Sequence, residues 1–157
     1  MQAMLFSDNL DEAAVLTVVL QRAGFEVRTI SSPEKVLTNL PERPADLILL
    51  AFKDNGAISE KQIEQLRSQT VVPMIVIGDL LSDDRQVSLL ESGADLVFQR
   101  PYNVKYLIAQ IRALMRRVAG LPFFSLPLLT QSDVVLDPST RTVRVTRSPA
   151  ATSRTTK

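Results

Sequence analysis

Pro44-Ala45-Asp46-Leu47-Ile48-Leu49-Leu50-Ala51 is the stretch on which the fold turns. From Leu47 to Ala51 every side chain is apolar, so neither face of the segment suits water. A short run of this kind reads as a strand buried on both sides, the signature of a parallel sheet covered by helices. Working outward, similar runs occur at Ala3–Phe6, Val27–Ile30, Met74–Ile77 and Leu96–Phe98.

The stretches between them carry helical period. Leu16, Val19, Leu20 and Ala23 share one face, and Gly24 ends that helix. Pro33 suits the first turn of a second helix running to about Leu40. Ser59–Ser68 turns Ile63 and Leu66 inward and Lys61, Glu64 and Arg67 outward. Asp83 is expected to cap a fourth helix that Gly93 closes. Asn103 opens a fifth, with Leu107, Ile111, Leu114 and Met115 inward and Arg112, Arg116 and Arg117 near its end, where cations suit the helix dipole. Strands alternating with helices predict a doubly wound α/β fold with a five-stranded parallel sheet and five helices. Sites in such sheets lie beyond the carboxyl ends of the strands. That directs attention to Ser7–Asp8, Ala51–Asp54, Gly78–Asp79 and Gln99–Pro101.

Composition removes several functions. There is no cysteine, so disulfides, thiolate nucleophiles and cysteine metal sites are excluded. There is no histidine, which removes the commonest general base and hydrolases of the Ser/His type. A net charge of +1 is too small to draw the whole chain to nucleic acid or to a membrane. The longest apolar runs, Leu47–Phe52 and Val71–Ile77, fall far short of the ~20 residues of a membrane helix. A cytoplasmic protein without membrane contact is expected. Beyond Val118 the character changes. Residues 119–128, with Gly120, Pro122 and Pro127, read as a linker. Asp133–Leu136 and Thr142–Thr146 read as paired strands around Asp137-Pro138-Ser139-Thr140. The Ser/Thr-rich tail from Ser148 is expected to be disordered.

The order of elements, the opening segment from Pro44 to Leu50, the run Glu91-Ser92-Gly93-Ala94-Asp95 and the helix from Leu107 to Arg117 together resemble receiver domains of response regulators. The subfamily is the OmpR/PhoB type, with a CheY-like fold, over residues 3–118. Asp133–Arg141 resembles the first strands of that subfamily's winged-helix effector domain. The expected organisation is a degenerate receiver over 1–118, the linker, and a remnant of a truncated effector over 129–157.

The resemblance implies a phosphorylation pocket. It consists of two carboxylates after the first strand for magnesium, an acceptor aspartate ending the third, a hydroxyl ending the fourth, and a lysine before a proline after the fifth. Phosphoryl transfer needs such a metal and such a positioned nucleophile. The matching positions here are Ser7-Asp8, Ala51, Gly78 and Arg100, with Val97 at the aromatic switch position. Alanine cannot accept a phosphoryl group. No catalysis, metal or cofactor is therefore expected. Ser7-Asp8-Asn9-Leu10 also lacks the phosphate loop of a flavodoxin. Asp54 and Asp79 are expected to be solvated, or Asp79 to cap the next helix, and Asp8 to pair with Arg100 across the pocket.

The resemblance further implies a homodimer through the fourth helix, fifth strand and fifth helix. Val87, Leu90 and Ile108 keep its apolar patch. Two of its ion pairs are replaced, one by Gln86 with Tyr106 and one by Leu96 with Gln110, while Glu91 with Arg112 keeps opposite charges. Exposed pairs contribute ~0–1 kcal/mol each, so the loss bears more on register than on affinity. The expected function is a phosphorylation-independent dimerisation module of a two-component-type transcription regulator. DNA would be a partner only where a complete winged helix follows. The alternative is a stand-alone adaptor that binds a kinase or another regulator.

Overall fold

The computed structural model describes residues 1–53 and 59–119, and beyond them the backbone of strands 129–131, 134–137 and 142–145. Asp54, Asn55 and Gly56, most of the expected linker, the expected turn after Asp137 and the tail lie outside the described residues. The chain divides into two units, Met1–Val118 and Ala119–Lys157.

In the first unit, strands β1 (Gln2–Ser7), β2 (Glu26–Thr29), β3 (Leu47–Ala51), β4 (Met74–Asp79) and β5 (Leu96–Arg100) form one sheet in the order β2-β1-β3-β4-β5. Every pairing in it is parallel. Helices α1 (Leu10–Arg22), α2 (Lys35–Asn39), α3 (Glu60–Gln69), α4 (Asp83–Ser92) and α5 (Val104–Ala119) connect and follow the strands. This is the CheY-like fold with five strands and five helices.

The two-residue alternation of a strand explains why the run at Leu47 is apolar throughout. Leu47, Leu49 and Ala51 join a core with Leu16 and Leu20 of α1 and Leu107 and Ile111 of α5. Ile48 and Leu50 join a second core on the opposite face, with Val36 of α2, Ile63 and Leu66 of α3 and Leu89 of α4. All five residues of β3 are buried, as a central strand between two helical layers requires.

Two helix starts differ from expectation. The chain at Ser32–Val36 winds more tightly than an α-helix, with the Lys35 N–H on the Ser32 carbonyl (3.2 Å) and the Val36 N–H on the Pro33 carbonyl (3.1 Å). The α-helix proper therefore begins at Lys35, with Glu34 already in helical backbone geometry before it, and not at Pro33. Ser82, not Asp83, caps α4. Its hydroxyl accepts the Arg85 N–H at 3.2 Å, and Asp83 and Asp84 fall in the first turn, where acidic charge complements the dipole. Gly93 does end α4, at φ 127°. A Cβ there would lie 2.7 Å from the Arg67 side chain, which bonds the Gly93 carbonyl and Asp95.

The second unit contains β6 (Leu129–Gln131), β7 (Val134–Asp137) and β8 (Thr142–Val145), antiparallel in the order β6-β7-β8.

Leu49 is fully buried at the centre of the sheet. Leu49→Ala removes its packing and leaves a void, at a cost of about 3 kcal/mol. Urea unfolding followed by circular dichroism is expected to show that loss as a lower midpoint with an unchanged slope.

Candidate functional site

Parallel register brings four strand ends to one edge. Ser7 lies beside Ala51, Ala51 beside Ile77, and Asp79 beside Arg100. The residues singled out after β1, β3, β4 and β5 thus share the carboxyl edge, where this architecture places its sites.

Ser7 is committed to the turn that starts α1. Its hydroxyl donates to the Asn9 carbonyl (3.0 Å) and accepts the Asn9 N–H (3.2 Å). Asn9 in turn caps α1 by accepting the N–H groups of Asp11 and Glu12. Asp8 does not pair with Arg100. Both of its carboxylate oxygens stand 2.8 Å from the Lys53 N–H, so it ties the loop after β3 to the end of β1. Ala51 is fully buried and belongs to the α1/α5 core. Gly78 leaves room for Leu81, since a Cβ at this position would meet the Leu81 methyl groups at 3.1 and 3.2 Å.

These residues do not fit a magnesium ion. The serine oxygen is used locally, one carboxylate is held by a backbone N–H, and the side chain ending β3 has no oxygen. Magnesium asks for several oxygen ligands in octahedral array. Among the described residues no group of three ligating side chains converges.

The charge at this edge is centred on Arg100. Its guanidinium meets Glu12 of α1 side by side, Nε on Oε1 at 2.6 Å and Nη2 on Oε2 at 2.5 Å. Nη1 donates to the Phe52 carbonyl (2.6 Å) and to Asp79 Oδ1 (3.1 Å). The Tyr102 hydroxyl reaches Glu12 Oε1 at 3.4 Å. Glu12 and Arg100 side chains retain only 12% and 19% exposure, so water screens the pair far less than a surface pair. Burial alone would lower the pKa of Arg100. The hydrogen bonds and charges of Glu12, and then of Asp79, outweigh it and raise the value. Asp79 is thus an ion-pair partner of Arg100 and not the cap of α4, and its side chain stays partly exposed to solvent.

Glu12 was not among the residues singled out from sequence. An acidic residue in the first turn of a helix has a sufficient local explanation in the helix dipole. Its partner lies 88 positions away.

The face formed by α4, β5 and α5 is apolar and open. Val87, Leu90 and Tyr106 are 51%, 45% and 57% exposed. Leu96 and Ile108 are half-buried, with inner sides against the α1/α5 core. Glu91 and Arg112 are exposed. The Tyr106 ring packs edge-on against Phe98, centroids 6.1 Å apart, and its hydroxyl accepts the Gln110 amide at 2.8 Å. The Gln86 amide donates to the Leu81 carbonyl (3.1 Å). Val97 is half-buried against the second core.

No family model matches the chain. Sequence relatives are clear. The sensory transduction protein RegX3 of Mycolicibacterium smegmatis is 32% identical over 116 residues, which is 74% of this chain and 51% of the relative. The DNA-binding response regulator MtrA of Mycolicibacterium paratuberculosis is 31% identical over 134 residues, 85% of this chain and 58% of the relative. The chain thus spans about half the length of the curated relatives it matches. Among solved structures, a two-component response regulator from Clostridium difficile superposes with a TM-score of 0.67 at 20% identity, covering 75% of this chain and 98% of that one. An orphan response regulator of H. pylori superposes at 0.64 with 24% identity, covering 74% and 97%.

Sheet order, paired helical layers and these matches make the first unit a response-regulator receiver domain. It is of the OmpR/PhoB type, the signalling module of two-component systems. Among the described residues no helix is long and apolar enough to cross a membrane.

Tyr102 reports on the buried edge. Burial first, then the Glu12 charge, push its phenol up from 10.0 to about 12. The folded state therefore holds this proton more tightly than the unfolded chain. The associated stability is complete below pH 10.0 and is lost as pH rises toward about 12. Ultraviolet titration is expected to show a phenolate transition near that upper value, absent in Tyr102→Phe. The variant is expected to lose less stability across the same window.

Proposed function

We propose that this receiver works without phosphorylation, as a dimerisation module of a transcription regulator. One observation carries the reading: Ala51, a fully buried side chain with no oxygen, ends β3 where the family resemblance puts the phosphoacceptor. The neighbouring positions support it. Ser7 serves a turn, Gly78 has no hydroxyl and is backed by Leu81, and Arg100 already faces two carboxylates. An incoming phosphate would find no nucleophile, no pair of magnesium carboxylates and a cation already paired. Val97 at the switch position has no ring to turn inward. No enzymatic step is assigned to the site.

The output in this reading is the α4-β5-α5 face, where two copies meet as a homodimer in the cytoplasm. An exposed apolar cluster of this kind suits a protein interface. Val87, Leu90 and Ile108 supply apolar contact, Leu96 and Tyr106 extend it, and Glu91 with Arg112 supply the remaining opposite charges. Gln86 and Gln110 stand where charged residues would otherwise set register. Residues 119–128 serve as linker, and residues from 129 on begin an effector domain. Two facts favour that organisation. The β6-β7-β8 sheet is antiparallel and separate from the receiver, and the MtrA match, 134 residues long, extends past the 118 of the first unit. DNA contact would come through a complete winged helix in the whole protein; the relative MtrA is a DNA-binding response regulator.

Acetyl phosphate with magnesium, followed by intact-mass measurement, is expected to give no adduct on the chain. Sedimentation velocity is expected to show a dimer whose dissociation constant beryllium fluoride leaves unchanged. Val87→Glu, which buries a charge in the face, is expected to weaken that dimer at least ~10-fold, or ~1.4 kcal/mol. A stoichiometric phosphoryl adduct within the receiver, or dimerisation only with beryllium fluoride, would refute the reading.

A further inference from the structure

The junction between β4 and α4 is three residues long, Leu80, Leu81 and Ser82, and it is held from both ends. Asp79 is held by Arg100. Leu81 is buried, and its side chain fills the space that a Cβ on Gly78 would enter. Ser82 caps α4. Leu80 between them has φ +43°, a left-handed backbone that leucine rarely adopts and that persists only where its surroundings enforce it. Each of these contacts fixes where α4 begins, and α4 carries Val87 and Leu90.

Arg100 ties that junction to the rest of the edge. Four of its N–H groups donate, one from Nε, two from Nη1 and one from Nη2. They reach α1, the chain after β3 and the end of β4. A lysine has a single ammonium on a flexible stem, whereas the planar fork of arginine holds three segments in one fixed geometry.

We infer that the Arg100–Glu12–Asp79 cluster is an internal latch: a protein-supplied ion cluster holds the β4–α4 junction, and so the α4 face, in one arrangement without any bound phosphate. This rests on the phosphorylation-independent reading and adds its mechanism. A receiver switched by ligand needs two arrangements close in free energy, with the ligand favouring one. Here the selecting contacts are part of the chain. The partners are carboxylates on α1 and β4, so the latch opens by substitution at either one.

The test uses the full chain with Glu12→Gln and, separately, Asp79→Ala. Amide hydrogen exchange is followed for residues 79–92 and, as an internal control, for α3, while sedimentation gives the dimer dissociation constant. The expected result is exchange at least tenfold faster in 79–92, unchanged exchange in α3, and a dissociation constant raised at least tenfold. Unchanged exchange in 79–92 overturns the latch. So does an equal rise in α3, which would mean general loss of stability. A local rise with an unchanged dissociation constant overturns the link to the dimer face. Should Glu12→Gln fail to fold, Asp79→Ala decides, because it removes one contact at a partly exposed side chain. A wild-type chain that stays monomeric refutes the dimer reading above. The exchange measurement then decides the latch by itself.

Discussion

A guanidinium drawn out of water at the edge of a sheet must be surrounded by acceptors, and this requirement organises the whole carboxyl end of the domain. Arg100 ends the edge strand β5 and reaches the ends of β3 and β4. A buried cation without partners would cost several kcal/mol. Glu12 meets it with both oxygens, Asp79 with one, and the Phe52 carbonyl takes a further N–H. The start of α1, the loop after β3 and the junction before α4 are consequently positioned by one side chain. The mean strength of each bond matters less than the cost of leaving any of them unmade.

The same constraint sets the charge pattern of the pocket. Two carboxylates surround one cation, and the third nearby carboxylate, Asp8, turns away to the Lys53 N–H. In a phosphorylated receiver a metal would neutralise clustered carboxylates. Here arginine offsets part of the charge of Glu12 and Asp79, while position 51 contributes no charge. Ala51 instead extends the α1/α5 core. A buried carboxylate would carry a desolvation cost at this position that a methyl group avoids.

The fold was legible because it depends on short-range regularities. Leu47–Ala51 is apolar on both faces, and strands and helices alternate along the chain as their patterns imply. Helix starts were less legible. Ser82 and Asp83 are both good caps, and only the backbone geometry chooses between them. The strand-end segments were legible too, since they lie just beyond the apolar runs, while the resemblance to receivers singled out Ser7, Ala51, Gly78 and Arg100 within them. The pairing among them was not. Asp8 is the nearer candidate in sequence pattern, yet Glu12, one turn into α1, meets the guanidinium. Which carboxylate reaches a cation 88 positions away depends on how α1 lies against β5, and no local pattern encodes that.

The core and the site also divide the work of the sequence in a way that explains how such a pocket can change without unfolding the domain. Leu5, Leu49, Ile75 and Leu107 on one face, and Ile48, Ile63, Val76 and Leu89 on the other, make their contacts without using Ser7, Asp8, Glu12 or Arg100. Of the pocket positions only Ala51 belongs to the core, and there it adds apolar contact. The scaffold therefore tolerates any edge chemistry that satisfies its own charges. Arg100 with Glu12 and Asp79 is one closed solution. On the proposal that this receiver works without phosphorylation, the donors are engaged by the chain itself, and folding in place of a small anion sets the face on α4 and α5.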